Sequence, residues 1–79
     1  MDRIYVNIEP EINNRTVSRV QKAINQLQDG QEIMITMEAA DAHQAGPVLE
    51  LLEQAGLDYQ SRGSHEGRSY FLIGRRKPH

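Results

Sequence analysis

Asn13, Asn14, Arg15, Thr16 and Arg19 lie in the stretch EPEINNRTVSRV, Glu9 to Val20, where an extended segment gives way to a helix. Side chains of Asn and Thr accept hydrogen bonds from the free amides that open a helix, so one of Asn13, Asn14 and Thr16 is expected to cap it. The same amides, joined by Arg15 and Arg19, could hold an anion or form a docking patch. These five residues are the candidate binding set. A second set is aromatic and basic: Tyr5, Tyr70, Arg62, Arg68, Arg75 and Arg76, with Lys77 beside them in the tail. Tyrosines on an open sheet face can stack bases, and arginines can hold phosphates, although cross-strand packing accounts for the tyrosines equally well.

Other chemistry-bearing residues are weaker candidates. Glu38, Asp41 and His43 are metal-capable but match no ligand spacing, and a polar loop explains them. His65 and Glu66 fall in GSHEG, which is no phosphate-binding loop because no helix follows it. No serine is placed with a base, and the chain contains no cysteine, so thiol nucleophiles, thiolate zinc sites and disulfides are excluded. No cofactor, metal or catalytic residue is expected. The formal charge of −2 argues against coating nucleic acid or membrane by bulk attraction.

The elements that must position these residues follow from periodicity. Ile4, Val6 and Ile8 alternate with Tyr5 and Asn7 as in a strand with one buried face, and Pro10 is expected to end it. From Thr16, the residues Val17, Val20, Ile24 and Leu27 share one face of a helix, which should stop before Asp29-Gly30. EIMITME, Glu32 to Glu38, reads as a second strand, parallel to the first through a right-handed crossover. DAHQA forms a short turn, and a second helix begins near Gly46-Pro47, buries Val48, Leu51, Leu52 and Ala55, and closes at Gly56. Leu57 to Arg62 and Arg68 to Gly74 are two more strands joined through the GSHEG loop. Residues 75–79 are expected to form a flexible tail.

The fold class is therefore an α/β two-layer sandwich of order β-α-β-α-β-β. A single domain of 79 residues carries a four-stranded mixed sheet with both helices on one face. Ile4, Val6, Ile8, Ile33, Ile35 and Met37 are assigned to the helices, Tyr5, Met34 and Thr36 to the open face. On the last strand, Phe71 and Ile73 are assigned to the core, and Tyr70 and Leu72 to the open face. No apolar run is long enough to span a membrane, and MDRIYVNIEPE lacks the order of a secretory signal, so the expected location is cytoplasmic.

This order of elements, with QKAINQLQDGQEIMITME and the closing GRSYFLIGRR, resembles the TusA/SirA-like family of small sulfur-carrier proteins across nearly the whole chain. The family opens its first helix with Cys-Pro-x-Pro. Here NNRT stands at that place, with Asn13 at the position of the sulfur-carrying cysteine and Asn14 and Thr16 at those of the prolines. An asparagine cannot accept and release sulfur, so the resemblance implies the fold and an interaction surface, without transferase activity. The expected function is a non-catalytic protein-interaction or regulatory module. Its partner is expected to be a protein bound at the helix start, and a second copy could pair through the apolar sheet face or an unpaired strand edge. The alternative is a weak RNA-binding domain using the open sheet face and the basic tail. The βαβαββ order is also similar to the C-terminal domain of bacterial translation initiation factor three, whose basic character is not reproduced here.

Overall fold

A computed structural model describes residues 3–9 and 11–77. The elements run β1 (Arg3–Asn7), α1 (Asn14–Asn25), β2 (Glu32–Glu38), a 3₁₀ segment (Ala39–Gln44), α2 (Gly46–Gln54), β3 (Asp58–Gly63) and β4 (Ser69–Arg75). One four-stranded sheet has the order β1-β2-β4-β3. β1 and β2 are parallel, while β4 pairs antiparallel with both β2 and β3. The α/β two-layer sandwich with a mixed sheet is thus the architecture of the chain. Pro10, the expected end of the first strand, lies outside the described residues. No helix among the described residues is long and apolar enough to cross a membrane.

Both helices fold against one side of the sheet because their apolar residues have nowhere else to go. Val20, Ala23 and Ile24 from α1 and Val48 and Leu52 from α2 join Val6, Ile8, Ile33, Ile35 and Met37 in a single core. α1 begins three residues earlier than its apolar stripe, since Asn13 caps it and Asn14 and Arg15 supply an exposed first turn. α2 starts at Gly46 with Pro47 in its first turn, where a missing amide costs nothing. Its end is a Schellman motif: Gly56 sits at φ +73°, its amide reaches Glu53, and the Leu57 amide donates to Leu52 O at 3.1 Å.

β4 departs from expectation in which face it buries. Leu72 is buried with Gly74, and Tyr70 packs against the core, whereas Phe71 and Ile73 are half-exposed on the far side. Register requires this, because Leu72 pairs with Ile35 and residues paired across a ladder share a face. Gly74 is the reason the strand can sit this way round. A Cβ there would meet Ile33 Cγ2, Leu52 Cδ2 and Leu57 Cδ1, each at 3.3 Å, so the helix and sheet close over a position with no side chain.

The expected tail is also ordered further than proposed. Arg75 belongs to β4, and the Arg76 backbone is tied on both sides, accepting from the Gly30 amide at 2.7 Å and donating to Gln31 O at 3.0 Å. The Arg76 guanidinium crosses to α1, where Nη2 donates to Ile24 O at 3.0 Å. Ile24 O also accepts from the Leu27 amide at 3.0 Å, so the guanidinium adds a second donor there, and a cation at the carbonyl end of a helix complements its dipole. Lys77 pairs with Asp58 at 3.2 Å. Residues 78 and 79, the end of the expected tail, lie outside the described residues.

Candidate functional site

Of the two candidate sets, the helix start has already spent its polar groups. The Asn13 Oδ1 accepts from the Arg15 and Thr16 amides, each at 3.0 Å, and the Asn13 amide donates to Thr16 Oγ1 at 2.8 Å. This is a capping box with threonine in the place usually held by Glu or Gln. Thr16 is buried, and its hydroxyl donates in turn to Asn13 O at 3.0 Å. An anion arriving here would have to displace the carboxamide and would face Glu11, whose Oε1 accepts from Asn13 Nδ2 at 3.2 Å. Asn14, Arg15 and Arg19 are exposed, and neither arginine has an ion-pair partner among the described residues.

The second set is divided by the register of β4. Tyr5, Arg62 and Arg75 share the open face, Tyr5 with 70% of its surface exposed. Tyr70 and Arg76 lie on the helix side, Tyr70 against the core and Arg76 at the end of α1. That corrects their place on the sheet face. Arg68 precedes β4 and borders a small hollow with Glu9 and Glu38, at the opposite end of the strand from Arg75.

What the open face does carry is laid out in rows across the strands. At one end Arg3, Glu32, Arg75 and Asp58 stand side by side on β1, β2, β4 and β3, alternating in sign. Tyr5, Met34, Ile73 and Gln60 form the next row, and Asn7, Thr36, Phe71 and Arg62 the one after. Arg3 Nη2 lies 2.8 Å from Glu32 Oε1, and the Arg3 pKa is raised first by that hydrogen bond and then by the carboxylate charge. Arg75, between Glu32 and Asp58, has no carboxylate within 4.0 Å among the described residues, since those two acids are held by Arg3 and Lys77. Met34, Phe71 and Ile73 floor a shallow hollow rimmed by Arg62, Arg75 and His65. SYFLIGR is apolar at both parities, so hydrophobic alternation alone does not place Phe71 and Ile73 on the open face.

Among the described residues the one hydroxyl bonded to a titratable base is that of Tyr59, which donates to Glu53 Oε1 at 2.9 Å. That bond, followed by desolvation, raises the Tyr59 pKa, the opposite of what activates a nucleophile. Glu38, Asp41 and His43 do not come together, and no group of three potential metal ligands forms among the described residues.

Fold and surface define a class: an open-faced α/β sandwich whose one uncovered sheet face mixes an apolar stripe with balanced charge. Compared with known proteins, the chain matches no family model, no curated protein and no solved structure.

Proposed function

We propose that this chain is a non-catalytic protein-interaction module of TusA/SirA-like type that works through its open sheet face. The observation that carries the reading is the row of Met34 and Ile73, with Phe71 beside it, left uncovered by any element of the fold and bordered by charges of both signs. Apolar side chains half-buried on an unpartnered face favour a protein surface, whose packing can desolvate them. Arg3, Arg62 and Arg75 are offset by Glu32, Glu38 and Asp58, so the face offers a polyanion little net attraction. The family reading is supported by the element order and by QKAINQLQDGQEIMITME and GRSYFLIGRR; the family's Cys-Pro-x-Pro is absent, and Asn13, at the place of its cysteine, is occupied as a cap.

The test is affinity capture from a native lysate with three forms side by side: wild type, Phe71→Glu and Arg15→Ala. A bound protein lost with Phe71→Glu and kept with Arg15→Ala is the expected result. The reverse pattern would return the function to the start of α1. Captured RNA that dissociates steeply with salt would replace this reading with the nucleic-acid one, in which Phe71 and Arg62, paired in register, supply stacking and charge.

A further inference from the structure

The charged row has a symmetry that the other two rows of the open face lack. Read from β1 to β3 it runs Arg3, Glu32, Arg75, Asp58, which is plus, minus, plus, minus. Reversed, the same row reads minus, plus, minus, plus, so it is complementary to itself when turned end for end. A two-fold axis lying between two sheets and parallel to their strands performs that reversal. It leaves each row facing its own copy and exchanges β1 with β3 and β2 with β4.

We propose that a second copy of this chain covers the open face about such an axis, running between β2 and β4; this rests on the open face being the interaction surface. Arg3 then meets the second copy's Asp58, and Arg75 meets its Glu32, supplying the carboxylate that Arg75 lacks among the described residues of its own chain. In the next row Met34 meets Ile73 beside the axis, giving an apolar centre with charge at its edge, the usual anatomy of an interface. Aligned sheets rotate by about 30° against one another and pack about 10 Å apart, which long arginine side chains can bridge. The footprint sets the strength. Four strands of up to seven residues span roughly 19 by 23 Å, on the order of 400 Å². That is about half the area a partner contributes to a standard interface, so the dimer is reversible and forms between micromolar and millimolar concentration.

Sedimentation equilibrium over that range tests it with charge reversals at the rim, where Arg3 and Asp58 are exposed. Asp58→Arg alone and Arg3→Asp alone each place like charges across the axis and should weaken self-association roughly tenfold or more. Mixed together, they restore the pairing in a heterodimer as tight as wild type, a result that requires Arg3 and Asp58 to face each other across the contact. Ile73→Glu, beside the axis, is the independent variant and should leave only monomer, with circular dichroism showing that each variant is folded. A wild-type chain that stays monomeric at millimolar concentration overturns the dimer and leaves the face to a different protein. Association that survives Ile73→Glu, or reversals that do not rescue one another, overturns it in favour of edge pairing. Failure of the underlying reading looks different: Phe71→Glu would lose no captured protein.

Discussion

Asn13 shows how one side chain decides whether a helix start is structural or available. Its carboxamide accepts from two amides, and its own amide is taken by Thr16, so replacing it removes bonds from the fold. Asn13→Ala is expected to cost about 1 kcal/mol, or roughly 4–8 °C in melting temperature for a domain of this size. Thermal unfolding by circular dichroism measures it, and Asn13→Ser should recover most of the loss. Tyr59 makes a second residue-scale prediction. Its pKa is raised in the folded chain by the bond to Glu53, so its stabilisation is complete below the unfolded tyrosine pKa and is lost as pH rises through the folded one. Tyr59→Phe should therefore melt below wild type at neutral pH, and the gap should close in alkali.

Elements were legible in this sequence to the degree that their apolar residues kept one period. IYVNI alternates cleanly, and the crossover to EIMITME could be read as a parallel pair because a helix of the right length separates them. SYFLIGR could not be read this way, since Tyr70 and Leu72 compete with Phe71 and Ile73 and propensity does not choose between them. Packing chose, and Gly74 was the signal: a glycine inside a strand marks a close approach, and its parity is that of Leu72. Arg76 was hidden for another reason, since a cation after a strand looks like tail until the end of α1 is found beside it. At this scale Gly74→Val is expected to overpack the contact among Ile33, Leu52 and Leu57 and cost about 1–3 kcal/mol, read from a denaturant midpoint. A change smaller than that would mean α2 can move away from the sheet without loss.

The whole molecule is a thin body, 36 × 27 × 17 Å, because it has one layer of helices and leaves the second side of the sheet bare. A face-to-face pair would convert two such layers into a four-layer body in which the sheets lie inside, and the charge reversals described above test that architecture rather than any single contact. The candidate face itself was only half legible. Tyr5, Met34 and Thr36 followed from the parity of the first two strands, but the alternating row of Arg3, Glu32, Arg75 and Asp58 needs the register of three ladders at once. No spacing along the chain carries that information.

The place of β4, last of the strands along the chain yet interior in the sheet, also bears on how the protein is made. When Glu38 has left the ribosome, one side of β2 is an open hydrogen-bonding edge, and Ser69–Arg75, the segment that closes it, has not yet emerged. At about 5–20 residues per second the wait lasts roughly 2–7 s, long enough for exposed strands on neighbouring nascent chains to meet. For those seconds Ile33, Ile35 and Met37 have a partner strand on one side only, and solubility then depends on how quickly α2, β3 and β4 emerge and close the sheet.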